Sequence, residues 1–362
     1  MIGLSISAIY ILLKHKNNTL NLLIAGGLFS FAALFKIPAA FEVPVIVFYW
    51  LFSEKLSLKN IVLTTKKTFI LGIGFLIPIV LTFLWYGLHK AFPEYLGSAF
   101  LQNVGYLSSW RPDAVQDPFL VRNGPLLIRA AVVLLGVLVL YIARKKVSKT
   151  FFFATIWLLF ALFAVTLSER PYPHYLIQAL PPLSILLSLF IYSPRFEQVL
   201  ALIPLTLALA VPVYYKFYYY NTFSYYERFI NFATGRLTPG EYFDKFDGNV
   251  NRNYKIAKYI VEVTGAKEKV FVWGDSPPVY ALSHRLPPIR YVAGYHISDF
   301  SSQDEVLSKL EQNPPSVIVI MPDSPNFDKL HLWLREPYVK IAEIDRAQVW
   351  KRFKPEVVKI IK

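Results

Sequence analysis

The chain has 362 residues, of which 55% are apolar, 16% aromatic and only 17% charged, with a net charge of +14. That balance is too apolar for an ordinary soluble domain and reads as a membrane protein. Residues 1–216 hold 18 Lys/Arg against 7 Asp/Glu, whereas residues 217–362 hold 20 against 17; the excess therefore lies in the apolar part, as basic loops beside a bilayer do, and nucleic acid is excluded as a partner.

Apolar runs occupy residues 1–13, 20–35, 37–53, 68–88, 125–143, 150–167, 175–193 and 198–216. They predict eight hydrophobic helices, a crossing helix needing roughly 20 such residues. The first, MIGLSISAIYILL, lacks the basic lead of a signal peptide and reads as the second half of a helix. Runs 20–35 and 37–53 are short and meet at Lys36, which Ile37-Pro38 follows. This predicts short or tilted helices joined by a tight polar corner. Loops 14–18, 54–67, 144–149 and 194–197 are basic, with Lys14, Lys59, Lys67, Arg144 and Arg195 among their cations, and are expected on the cytoplasmic side. The junctions at Lys36, 89–124 and 168–174, and the tail, then fall on the opposite side. Segment 89–124 reads as an interfacial helix followed by a Pro/Asp-rich turn.

After residue 216 the pattern changes. YYKFYYYNTFSYYERF suits an aromatic interface belt, and 217–252 reads as an interfacial and linker segment. Residues 253–362 alternate helical and strand-like pieces: NYKIAKYIVEVT, KVFVWG, PPVYALSH, IRYV, QDEVLSKLEQ, SVIVIM, a helix around 326–335, then YVKIAEI and AQVWKRF. This predicts a small α/β domain, parallel with an antiparallel edge hairpin at its end. The fold class expected is thus a multi-pass α-helical membrane protein, with 1–216 as the transmembrane domain and an extracytoplasmic α/β domain at the C-terminus.

Ionisable residues at membrane depth each cost at least ~2.5 kcal/mol on insertion scales, so Lys36, Glu42, Glu169, Arg170 and His174 need a reason. Lys36 is either a functional cation or a lysine snorkelling from a helix corner. Glu42 could pair with Lys36 or serve a neighbouring polar group. The junction at 168–178 is more telling: Arg170, Tyr172, His174, Tyr175 and Gln178 concentrate hydrogen-bond donors at the mouth of an apolar helix. Donors without matching acids imply an anion, and a guanidinium grips phosphate with two parallel bonds. The plain alternative is an aromatic belt marking the lipid boundary.

Six histidines, at 15, 89, 174, 284, 296 and 331, show no metal-ligand spacing, and the chain has no cysteine. No cofactor is expected, and a divalent cation could be held only through carboxylates. The tail carries Trp273-Gly274-Asp275-Ser276-Pro277-Pro278 at a strand end, where α/β domains often bind ligands. Without a glycine-rich phosphate loop it reads as a structural turn.

Three stretches together, ALFKIPAA (33–40), RPYPHYLIQALPP (170–182) and VFVWGDSP (270–277), resemble bacterial glycosyltransferases of the protein mannosyltransferase and aminoarabinose transferase superfamily, which have the GT-C fold. The resemblance spans essentially the whole chain. It implies transfer of a sugar from a polyprenyl-phosphate carrier to a glycan, lipid or protein acceptor on the outer face of the cell membrane. It also implies that Lys36 lies near the lipid phosphate, that Arg170, Tyr172 and His174 line the same cavity, and that these cations stabilise the departing phosphate. The acceptor hydroxyl would need a carboxylate base. Members of the superfamily carry their catalytic acids on the first two outer loops, and the stretch 1–13 resembles the span just before the lysine corner. The catalytic acid is therefore expected upstream of Met1, and none of Glu42, Glu94, Asp113, Asp117 or Glu169 occupies its position. Two further readings stay open: a membrane protein that binds polyprenyl phosphate or envelope glycan without chemistry, and, more weakly, a transporter.

Overall fold

The computed structural model describes residues 1–102, 118–167, 172–218, 222–246, 248–354 and 356. The chain divides into two compact units, Met1–Asn221 and Thr222–Lys362.

The first unit is helical throughout its described residues: α1 (Ile2–Lys14), α2 (Thr19–Phe35), a 3₁₀ turn (Ile37–Phe41), α3 (Glu42–Phe52), α4 (Leu58–Leu88), α5 (Phe92–Leu96) continuing into a π turn (Gly97–Leu101), α6 (Phe119–Ala143), α7 (Lys149–Thr166), a second 3₁₀ turn (Pro173–Ala179), α8 (Leu180–Tyr192) and α9 (Arg195–Tyr214). Among the described residues, five helical stretches are long and apolar enough to cross a membrane, namely Leu58–Leu88, Asn123–Ala143, Lys149–Thr166, Pro173–Tyr192 and Arg195–Tyr214; Ile2–Lys14, Thr19–Phe35 and Ile37–Phe52 are apolar but shorter.

Side-chain caps set several of the starts. Asn18, Ser57 and Ser148 each accept a hydrogen bond from the backbone N–H three residues on, at Asn21, Asn60 and Phe151, which satisfies a donor that the first helical turn leaves free. The Ser57 cap explains a departure from the expected loop at 54–67. Helix α4 starts at Leu58, so Lys59, Lys66 and Lys67 ride on a helix of 31 residues, about 46 Å long. The end of the expected loop 89–124 is likewise helical from Phe119, while residues 103–117, with Asp113 and Asp117, lie outside the described residues.

Helix α7 is the hub. Nearly every residue from Phe151 to Thr166 is buried, and the helix packs against α3, α6, α8, α9 and both 3₁₀ turns. A helix apolar all round needs protein or lipid on every side, and for α7 the neighbouring helices supply it. Its N-terminus is tied to α9, where the Glu197 carboxylate accepts hydrogen bonds from the Ser148 N–H and hydroxyl. Helices α2 and α4 approach closely because Gly26 and Gly74 face one another. A Cβ at Gly26 would run into the Leu71 carbonyl oxygen, and one at Gly74 into that of Leu23. Small residues of this kind let apolar helices touch backbone to backbone.

The second unit continues with α10 (Thr222–Ala233), α11 (Pro239–Asp244), α12 (Asn249–Val263), β1 (Val270–Trp273), α13 (Pro278–Ser283), α14 (Gly294–Phe300), α15 (Gln303–Gln312), β2 (Val317–Ile320), α16 (Asp328–Leu334), β3 (Tyr338–Ile344) and β4 (Ala347–Arg352). The sheet order is β1-β2-β4-β3, with β1 and β2 parallel and the β3–β4 hairpin antiparallel. Strand β4, the second of the hairpin, pairs with β2, leaving β3 at the edge. Asp345 and Arg346, both at positive φ (46° and 68°), make its two-residue turn in the hand that suits strand twist.

Both faces of the parallel pair are covered. Phe271, Trp273, Ile318 and Ile320 pack with Val306, Leu310, Leu330 and Leu334 on one side, and Val270, Val272, Val317 and Val319 with Ile256, Ile260 and Val279 on the other. This is why the two strands read as unbroken apolar runs. IRYV (289–292) forms no strand; Ile289 and Tyr291 are buried against the first of these faces, and the helix α14 follows.

Candidate functional site

The lysine corner forms because α2 ends at Lys36, whose extended backbone (φ −161°, ψ 114°) breaks the helix while its N–H still bonds the Ala32 carbonyl at 3.1 Å. Pro38 then fits the first turn of the 3₁₀ segment, where its missing N–H costs nothing. Across from it, the chain leaving α7 re-enters through Tyr172 and Pro173 into the second 3₁₀ turn, with the Tyr175 N–H bonded to the Tyr172 carbonyl at 2.9 Å.

These two turns are stitched together by one side chain. The buried Gln178 donates from Nε2 to the Pro38 carbonyl and to Glu42 Oε1, both at 3.1 Å. Around it, Tyr172, His174 and Tyr175 form a ring cluster. Tyr172 and His174 lie nearly parallel with centroids 5.6 Å apart, and Tyr175 stands edge-on to both, at 5.5 Å from Tyr172 and 4.6 Å from His174. Lys36 Nζ sits 3.3 Å from the centre of the Tyr175 ring. A cation–π contact of this kind holds an ammonium without neutralising it.

The space between the turns is a cavity of about 300 Å³, lined among others by Lys36, Ile37, Pro38, His174, Tyr175 and Gln178. Of the residues singled out from the sequence, the structure thus brings Lys36, His174, Tyr175 and Gln178 to one cavity and places Tyr172 behind them in the ring cluster. Arg170 and Glu169 lie outside the described residues. Among the described residues Lys36 makes no ion pair, and no carboxylate lines the cavity. With both Gln178 N–H groups spent on Pro38 and Glu42, the donors left to the cavity are the Lys36 ammonium and the side chains of His174 and Tyr175, which suit an anion with several acceptor oxygens.

Glu42 carries less weight than the other polar residues in the sequence, yet it is the residue on which the corner turns. It is 3% exposed and takes its hydrogen bond from Gln178 instead of pairing with Lys36. Its second oxygen Oε2 and the Trp157 indole N–H are both buried; they interact without closing a hydrogen bond of ordinary geometry. Trp157 gives no sign of this from sequence, since a tryptophan within an apolar run reads as lipid-facing or core.

In the second unit, the Trp-Gly-Asp turn has structural work. Gly274 adopts φ +137°, and a Cβ there would come within 2.7 Å of Met321 Cβ. Asp275 Oδ1 accepts from the Tyr295 N–H at 3.0 Å, capping the start of α14, and Trp273 Nε1 donates to the Pro325 carbonyl at 2.7 Å. Among the described residues no group of three His, Cys, Asp or Glu converges as metal ligands do.

In comparisons with protein-family models, curated proteins and solved structures, none matches this chain.

Proposed function

We propose that the chain is a membrane glycosyltransferase of the polyprenyl-phosphate-dependent kind, and that the cavity beside Lys36 seats the phosphate of the lipid-linked sugar donor. The observation that carries this reading is an ammonium held on an aromatic face, free of any carboxylate among the described residues, at a cavity shared with His174 and Gln178. An isoprenoid phosphate needs just this combination, a cationic seat for its headgroup and apolar helices for its tail. The basic character of the loops 14–18, 144–149 and 194–197 supports placing this cavity, and the tail domain, on the extracytoplasmic side. On this reading Lys36, His174 and Tyr175, joined by Arg170, offset the charge that develops on the carrier phosphate as the sugar leaves, and the acceptor is a component of the cell envelope.

The second reading, a protein that binds the carrier without transferring sugar, is favoured by one observation: no acid lines the cavity among the described residues, so none is in place there to take the acceptor proton. Both readings are tested by titrating the purified chain in nanodiscs with decaprenyl phosphate and with decaprenol. Preference for the phosphate, lost in Lys36→Ala and weakened in His174→Ala, is the expected result; equal binding of the two lipids, or unchanged binding in both variants, removes the seat. Release of sugar from a radiolabelled polyprenyl-phosphate sugar to an envelope extract then separates transfer from binding alone.

A further inference from the structure

Helix α10 divides into three faces. On one, Phe232 stacks on Tyr242 of α11 with ring centres 4.6 Å apart, and Tyr225 meets Phe246 edge-on at 6.1 Å, so this side packs within the second unit. Ser224, Glu227, Arg228 and Asn231 form a polar side that borders, with Lys245, an open concavity. The third face carries Phe223, Tyr226, Phe229 and Ile230, spaced three and four apart as one side of a helix is. These are 78%, 60%, 52% and 58% exposed, and no residue of α10 is buried.

We propose that this third face lies in the interface of the bilayer that α9 crosses, with Phe223, Tyr226, Phe229 and Ile230 at the boundary of headgroups and acyl chains, and with Ser224 and Asn231 in water. Three observations commit the face to lipid. Only residues 215–221 separate the end of α9 at Tyr214 from the start of α10 at Thr222, a reach of at most about 29 Å at full extension, so α10 is tethered close to the end of the last span. Exposed apolar side chains also precede the helix in the chain, at Leu209, Val213 and Tyr214 of α9 and at Tyr218 of the connection. Its residues are Phe, Tyr and Ile opposite a charged side, the composition of helices that lie in the interface plane. The aromatic composition of 214–229 points to an interface; the helix identifies which four side chains enter it, and shows that α11 braces the opposite flank. The inference rests on α9 crossing a bilayer and not on sugar transfer, so either can fail without the other.

The chain contains no cysteine, so single probes are introduced without a background. Phe223→Cys, Tyr226→Cys, Ile230→Cys, Ser224→Cys and Asn231→Cys are each labelled with a nitrobenzoxadiazole fluorophore in the full chain, reconstituted into phosphatidylcholine–phosphatidylglycerol vesicles. Blue-shifted emission, quenched by nitroxide-bearing lipids and protected from iodide, is expected at 223, 226 and 230, and the reverse at 224 and 231. Equal iodide quenching at all five positions overturns the proposal. So does protection from both quenchers at 223, 226 and 230, which would mean that protein, either the membrane unit or a second copy, covers the face. Each site reports separately, so a variant that misfolds by gel filtration is set aside and the remaining sites decide.

Discussion

Replacing Gln178 with leucine removes two hydrogen bonds at once, those to the Pro38 carbonyl and to Glu42 Oε1, each 3.1 Å long. The leucine fills similar space, so the change is chemical and leaves little cavity. What it leaves behind is a carboxyl group 3% exposed whose other oxygen closes no hydrogen bond of ordinary geometry. A buried acceptor stripped of its donor costs about 1–3 kcal/mol, and more where the group keeps its charge. With the freed carbonyl added, the expected loss is about 2–4 kcal/mol, which for a unit of roughly 200 residues lowers the melting temperature by about 5–15 °C. Glu42→Gln keeps the acceptor and should cost less than Gln178→Leu. The sharper test is Gln178→Leu combined with Glu42→Leu. Removing both partners of a buried polar pair is close to neutral, so the double variant should melt above Gln178→Leu alone. Thermal unfolding of the parent, Gln178→Leu, Glu42→Leu and the double variant in one detergent reads the cycle directly. Additive losses, or a Gln178→Leu variant as stable as the parent, would refute the claim that this bridge joins the two walls of the cavity.

Three further outcomes follow from other parts of the molecule. Gly26→Val or Gly74→Val forces α2 and α4 apart, because either Cβ meets a backbone carbonyl that cannot yield, and should cost about 3 kcal/mol or more; Gly72→Ala, where nothing lies within 4 Å, should stabilise by up to about 1 kcal/mol, both read from melting temperature. The Ser316 hydroxyl and the Gly265 N–H hold the Glu268 carboxyl below its ordinary value of 4.5, so its stabilising effect is full above that value and fades as pH falls through the lowered folded-state value; Glu268→Gln should flatten this part of the acid unfolding curve, with a constant loss of stability above pH 4.5 that disappears at low pH. Asp275→Ala uncaps α14, at a cost of about 1 kcal/mol, and should speed amide exchange across Gly294–Phe300 while leaving β2 protected.

Much of the fold is written locally. VFVW and VIVI announce two strands buried on both faces because four apolar β-formers in a row suit nothing else so short, and the eight apolar runs become apolar helices because each is long enough to satisfy its own backbone. The reading fails where local charge and local conformation part company. Lys59, Lys66 and Lys67 look like a loop by composition, yet Ser57 caps a helix through all three. IRYV looks like a strand by propensity, but pairs with no strand and is held by burial of Ile289 and Tyr291 instead. For the site, Tyr172, His174, Tyr175 and Gln178 stand out because donors cluster within a few positions of one another. Their partner does not, since Gln178 and Glu42 are 136 positions apart and nothing in either neighbourhood names the other.

That pairing also explains why Lys36 and Glu42, six positions apart and opposite in charge, do not neutralise one another. Helical neighbours stand three or four apart, and here the extended Lys36 and the 3₁₀ turn at Pro38 redirect the chain between the two side chains. Gln178 then takes the carboxyl into a buried, uncharged set of contacts with Trp157 behind it, while Tyr175 takes the ammonium on its ring. Had Glu42 reached Lys36 directly, any anion entering the cavity would first have to displace a built-in carboxylate, and its affinity would be reduced by the strength of that ion pair. An amide and an aromatic ring keep the carboxyl and the ammonium from pairing, and so leave the ammonium available to the cavity. The polar residues of this corner are thus divided between two tasks: Gln178 and Glu42 fix the walls, and Lys36 with His174 is left facing the space between them.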